Sequence, residues 1–301
     1  MKNSLLSVVV PIFNEEESLP LFLPALIDYC QNKKWTLILV NDGSTDQTKS
    51  ILGEYAPVSG VDVLHHGINH GYGGALKTGI SHANTPYAVT IDADGQHSHE
   101  DIEALLLRAI DEQADLVVGS RPSEFIASSF RSTGKWIIRK FARFLMPLPV
   151  KDLNSGFKLY RTELAQKYLE LCPDSMAFSD IITLVFINQR HLVLEQPITI
   201  KKRIAGKSTI NLYTAFDTLI NILNIAMMFN PLRVFLPLSF LFVLLGIGWG
   251  LPFILMGRGL SVGAVLAIFT GLLFFVIGLI AQQLSAIRLQ LINHKTRQKE
   301  S

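Results

Sequence analysis

Two aspartates separated by one residue, Asp92 and Asp94 in TIDADGQHSHED (Thr90 to Asp101), close an apolar run. A strand points such a pair the same way, and a turn can converge them on one cation. Carboxylate oxygens suit Mg2+ or Mn2+, ions that bridge phosphates. Taken alone, the pattern reads equally as an acidic turn. An EF-hand is excluded, because its further ligands and closing glutamate are not at the required spacing. His97 and His99 stand beside the pair with no cysteine partner and no H-E-x-x-H, so both read as loop residues rather than zinc ligands.

Other polar clusters recur along the chain: Asn14-Glu15, Asn41-Asp42-Gly43-Ser44 and Gly119-Ser120-Arg121. Each follows a short apolar, β-branched run: LLSVVVPIFN, WTLILVND, YAVTIDAD and ADLVVGSR, with VDVLHH as a further strand. Between these runs the apolar spacing predicts helices over about 15–29, 46–55, 73–82 and 102–111. Strands alternating with helices predict an α/β domain with a mostly parallel, Rossmann-like sheet covered on both faces. Ligands of such sheets bind outside the carboxyl ends of the strands, where these clusters fall. A dinucleotide site expects its glycine fingerprint after the first strand. Here PIFNEEES stands there and the glycines come later, in NHGYGGALKTG.

The chain has 301 residues, a net charge of +2 and a mean hydropathy of +0.33. The average conceals a shift. Residues 1–210 read as a globular domain. Val234–Met256 and Leu260–Ile287 carry no charge, and each is long enough to span a bilayer. Lys201, Lys202, Arg203, Lys207 and Arg233 precede the spans; Lys295, Arg297 and Lys299 follow; only Arg258 lies between. Basic flanks stay cytoplasmic, so the expected arrangement is an integral membrane protein with catalytic domain and C-terminus in the cytosol. The expected organisation is a domain over 1–210, an amphipathic juxtamembrane helix over 211–230, a transmembrane hairpin over 231–290 and a basic tail over 291–301. Arg131–Met146 alternates basic with apolar residues, as does a helix lying on anionic membrane lipids. Cys30 and Cys172 read as free thiols in a reducing compartment. The charge does not point to nucleic acid.

VVVPIFNEEESL, ILVNDGSTDQT, NHGYGGALKTG, TIDADGQH and VVGSR, in this order at successive strand ends, resemble the family-2 glycosyltransferases of the GT-A fold. Within that family the chain is most similar to the polyprenyl-phosphate hexosyltransferases. DLNSGFKLYR (Asp152 to Arg161), IKKRIAGKST (Ile200 to Thr209) and the two spans support that likeness. The resemblance implies that Pro11, Phe13 and Glu15 border the nucleotide, with Phe13 where the family usually has tyrosine. It implies that Asp42 reads the base, where the residue alone also suits an N-cap in the NDGST turn, that Gly71, Gly73, Gly74 and Gly79 allow close backbone approach, and that Lys77 meets the donor. Asp92, Ala93 and Asp94 become the diphosphate motif, with Asp92, Asp94 and Gln96 as metal ligands. Arg121, Arg131, Arg203 and Lys207 are cations for the lipid phosphate and the leaving diphosphate. Asp180 either orients acceptor or sugar, or caps the following helix.

The reaction so implied is inverting transfer of one hexose from a nucleotide-sugar, UDP-glucose before GDP-mannose, to polyprenyl phosphate. A phosphate acceptor is already ionised near neutral pH and requires no strong general base. Processive synthases of the family carry Q-x-x-R-W, which is absent here. A homo-oligomer, a tetramer, follows from the resemblance alone. The competing readings are a non-catalytic membrane module that binds nucleotide-sugar or lipid, and a nucleotidyltransferase acting on soluble substrates. Asp94 and Arg121 speak against the first, and the spans and NSGF against the second.

Overall fold

The computed structural model describes residues 4–121, 150–200, 227 and 230–299. Arg131, Arg203, Lys207 and, apart from Met227 and Asn230, both expected amphipathic stretches lie outside the described residues. The chain divides into an α/β body and a helical hairpin, taken separately below.

The α/β body is built on seven strands: β1 (Leu6–Ile12), β2 (Thr36–Asn41), β3 (Val61–His65), β4 (Tyr87–Thr90), β5 (Leu116–Ser120), β6 (Lys158–Arg161) and β7 (Val193–Pro197). Helices α1 (Leu19–Lys33), α2 (Thr48–Tyr55), α3 (Tyr72–His82), α4 (His99–Asp111), α5 (Thr162–Tyr168) and α6 (Phe178–Asn188) connect them. The sheet order is β3-β2-β1-β4-β6-β5-β7, and β6 runs antiparallel to both neighbours. The mostly parallel sheet is therefore present, with β6 and β7 as strands that the apolar runs did not announce.

Every residue of β1 is buried, as a central parallel strand requires. Pro11 is tolerated there for a local reason. Its missing N–H would face β4, but the β1–β4 ladder runs only from Leu6 to Val9. On one face Leu6, Val8, Val10, Leu37, Leu39, Val89, Val117 and Leu159 pack with the apolar sides of α1, α2 and α4. On the other face Val9 and Val40 meet α3 at Gly79, where an added Cβ would collide with Val9. The chain leaves β1 toward β2 and β3 on one side and returns to β4 on the other. That reversal makes the carboxyl ends of β1 and β4 the switch point, the place where open sheets of this kind bind ligands.

The hairpin pairs α7 (Pro231–Leu255) with α8 (Val262–Lys299). Gly246 lies against Ala264 and Ile268, Gly271 against Ser239 and Val243, and Gly278 against Phe235, so small residues bring the backbones together. Leu244, Trp249, Leu266, Phe269 and Ile280 stay exposed on the hairpin. Pro231–Leu255 and Val262–Arg288 have mean hydropathies of 2.2 and 2.7 and are long enough to cross a membrane.

Candidate active site

The first-strand motif ends at that switch point. Phe13 is exposed, whereas Pro11 is buried within the sheet. Asn14 takes a positive φ of 53° and accepts from Thr45 N at 2.9 Å, tying the β1 turn to the β2 turn. Glu15 turns the chain toward α1; its carboxylate accepts the Ser18 hydroxyl.

Asp42, at the end of β2, is 2% exposed and already has three donors. His66 Nδ1 lies 2.6 Å from Oδ1, His70 N donates to Oδ1 at 2.9 Å, and Gly71 N donates to Oδ2 at 2.8 Å. The carboxylate thus anchors the turn before α3, leaving about one of its four acceptor sites open. Asp42 does not cap its own NDGST turn, since α2 begins at Thr48 with Gln47 before it. The close approach allowed by Gly71 and Gly73 is to Pro173–Ser175, where a Cβ on either would collide with backbone. Lys77 joins that contact through an ion pair to Asp174 Oδ1 at 2.6 Å.

Asp92 and Asp94 lie past the end of β4, in a turn completed by Gly95 at φ 70°. Asp94 is 8% exposed, and its Oδ1 accepts from Gln96 N at 3.1 Å. Ala93 is buried in the core, so its side chain faces away from solvent. Asp92 Oδ1 accepts the Tyr72 hydroxyl at 2.9 Å. Burial raises the Asp92 pKa and the Asp94 charge raises it further, while His97 opposes both. His97 stacks on Phe157 at 4.7 Å, with its Nδ1 buried and unpartnered; burial lowers its pKa. His99 is not a loop residue. It opens α4 and packs against the rings of Phe22 and Tyr29.

Arg121, just beyond β5, is held by Asp152: Nε donates to Oδ2 and NH2 to Oδ1, each at 2.7 Å. Arg121 also feels Asp92 and Asp180, so these sequence-chosen residues share one cluster. Asp180 is not the cap of α6. The helix starts at Phe178 after Ala177, and Asp180 stands in its first turn. Burial pushes the Asp180 carboxyl up to about 6, against the pull of the Lys158 ammonium. In the orientation that satisfies both partners, the Asn154 amide donates to Asp180 Oδ2 at 2.6 Å.

Tyr72, His66, Asp152, Asn154 and Lys158 are site residues that motif reading missed. One signal was present: in GFKLYR, strand alternation puts Lys158 and Tyr160 on the same face, and a lysine beside a buried tyrosine needs acidic or carbonyl partners. Arg121 and Lys158 are balanced by Asp152 and Asp180. Among the described residues no group of three His, Cys, Asp or Glu side chains can hold a metal. The Asp92 and Asp94 carboxylates with the Gln96 amide still fit a hard cation that keeps waters and takes substrate phosphates as its remaining ligands.

The sheet, its switch point and this acidic turn define a GT-A glycosyltransferase. Residues 7–169 match the profile of glycosyl transferase family 2, and the chain belongs to that family. Residues 230–287 match the GtrB C-terminal hairpin. Among the relatives, polyprenol monophosphomannose synthase of Mycolicibacterium smegmatis is 31% identical over 215 residues, covering 67% of this chain and 79% of its own. Undecaprenyl-phosphate 4-deoxy-4-formamido-L-arabinose transferase of Edwardsiella ictaluri is 28% identical over 295 residues, covering 93% and 89%. In fold, the chain is similar to glucosyl-3-phosphoglycerate synthase of Mycobacterium tuberculosis, crystallised with Mn2+, UDP and phosphoglyceric acid. The TM-score is 0.56 at 18% identity, over 75% of this chain and 79% of that one.

Proposed function

We propose that this glycosyltransferase moves one hexose from a nucleotide-sugar to polyprenyl phosphate, with inversion, at the cytosolic face of a membrane. The observation that carries the reading is the clustering of Asp92, Asp94, Arg121 and Asp180 beyond the carboxyl ends of β4 and β5, in a chain that also carries an apolar hairpin. The lipid phosphate oxygen attacks the anomeric carbon opposite the departing nucleoside diphosphate. Phe13 stacks on the base at the mouth, and the remaining acceptor site of Asp42 faces it. Arg121 is oriented by Asp152 toward the phosphates. Arg131, Arg203 and Lys207 are further phosphate cations in this scheme. Asp92, Asp94 and Gln96 would hold Mg2+ or Mn2+, which supplies Lewis-acid stabilisation of the leaving diphosphate when bound. Asp180 orients acceptor or sugar. Basic flanks on both sides of the hairpin support a cytosolic domain and C-terminus.

UDP-glucose is the donor in this reading. A second reading, GDP-mannose, is favoured by the mannose synthase relative. Membranes containing the protein are incubated with polyprenyl phosphate, Mg2+ or Mn2+, and labelled hexose donors. The expected result is one lipid-linked sugar, identified by mass spectrometry. No lipid-linked label with any hexose donor would sink the proposal.

A further inference from the structure

Lys158 has no exposed surface, although it carries an ammonium at the first position of β6. Its Nζ donates to Leu153 O at 2.7 Å and to the carbonyl of Ser179. Its backbone is fixed on both sides, paired with Thr90 of β4 and Val118 of β5. The ammonium therefore rises from the rigid centre of the sheet and grips two segments that have no strand pairing of their own. One is the 152–156 loop, which carries Asp152 and Asn154. The other is the first turn of α6, which carries Asp180. Asp180 and Asp152 are the two charges that act on it most strongly. A lysine is seldom buried without such partners, and here two of its three donors are spent on backbone carbonyls.

We propose that Lys158 is a positioning residue that acts through Asp180, fixing that carboxylate relative to the Arg121–Asp152 pair without itself touching substrate. The geometry separates the roles. Leu153 O and Ser179 O take the ammonium from behind, Asn154 holds the Asp180 carboxylate from the loop, and Asp152 holds Arg121 from the same loop. Displacing the ammonium leaves the loop and the helix turn joined through Asn154 and Asp180 without the cation that holds both backbones. An arginine can restore the charge and donors; a methionine fills similar volume without either.

The inference rests on the transferase reading, and the experiment separates the two. Full-length Lys158→Met, Lys158→Arg, Asp180→Asn and the Lys158→Met/Asp180→Asn pair are compared in membranes, per folded molecule. Lys158→Met is expected to lower kcat about 100-fold with the donor KM within about threefold, as misplacement of a reacting group does. Lys158→Arg is expected to recover most of that loss. The double variant carries no net buried charge from this pair, so it keeps the test valid if Lys158→Met alone fails to fold. Its kcat is expected to fall well short of the product of the two single losses, because Lys158 acts chiefly through Asp180. Multiplicative losses in the double variant, or full kcat in Lys158→Met, overturn the proposal. Hydrogen exchange gives an arm independent of turnover: segments 152–156 and 177–181 are expected to exchange faster in the double variant than in Asp180→Asn, and unchanged exchange overturns it. Absence of transfer by the wild-type chain with every hexose donor removes the transferase reading instead, while the exchange arm still decides whether Lys158 pins these segments.

Discussion

Arg121 and Asp152 meet as a fork, with Nε and NH2 of the arginine each 2.7 Å from a different oxygen of the aspartate. The backbone N of Arg121 adds a third contact to Asp152 Oδ2 at 3.1 Å. Asp152 is 4% exposed, so it cannot turn to water when the arginine is lost. Arg121→Ala is expected to cost about 2 kcal/mol of stability, below the range for fully buried pairs because the guanidinium is partly solvated. Arg121→Lys keeps the charge and loses the fork; transfer is expected to fall about 100-fold through misplacement. Urea unfolding and initial-rate assays check both. Wild-type rates in Arg121→Lys would remove the arginine from the proposed phosphate site.

The Tyr72 hydroxyl on Asp92 gives a prediction for metal binding. Tyr72→Phe removes the donor to Asp92 together with the phenol oxygen that pairs with the Ser179 side chain. The Mn2+ affinity of Tyr72→Phe, read by electron paramagnetic resonance, is expected to fall about tenfold, about 1.5 kcal/mol for a lost hydrogen bond to a charged group. Asp94→Ala is expected to abolish both Mn2+ binding and transfer while the far-ultraviolet dichroism is unchanged. Full Mn2+ affinity in Asp94→Ala contradicts the assignment of the acidic turn.

Burial of Asp180 sets a pH dependence whose sign is fixed. Its carboxyl pKa rises from 3.8 to about 6, so between these values the folded chain binds more protons than the unfolded one. Stability contributed by this group is therefore present below about pH 4 and declines as pH rises through about 6. Asp180→Asn removes that decline. Relative to wild type, the variant is expected to gain stability progressively from pH 4 to pH 6 and then to level off, measured by urea midpoints. A difference that stays flat across this window contradicts the burial argument.

Cys30 and Cys172 are free and buried, and burial pushes both thiols up to about 12. Neither offers thiolate near neutral pH. Both are expected to resist alkylation by iodoacetamide in the folded protein and to react together once urea unfolds the domain. Stoichiometric labelling of native protein, read by mass spectrometry, would contradict this.

Much of the sheet was legible because buried parallel strands leave continuous apolar runs, as SVVV and LILV do. The Asp92–Asp94 turn and Arg121 were legible because strand ends must carry the polar groups. β6 was harder to see, since KLYR begins with a charge whose carbonyl acceptors, Leu153 and Ser179, and balancing carboxylates, Asp152 and Asp180, come from segments outside the strand. The acidic partner of Arg121 was hidden for a similar reason: Asp152 lies 31 positions away, and spacing alone cannot reveal which carboxylate a cation meets. The NHGYGG glycines showed that some backbone must come close. Only the fold shows that it is Pro173–Ser175.

The reversed direction of β6 has a consequence for how such a scaffold diversifies. β5 ends and β6 begins at the same end of the sheet, so the chain leaves the strand ladder at Arg121 and rejoins it at Lys158, beside its point of departure. Changes in chain length between those two points leave the pairing of Val118 with Lys158 in register. The scaffold can thus vary there without disturbing the strand ends of β1, β2 and β4.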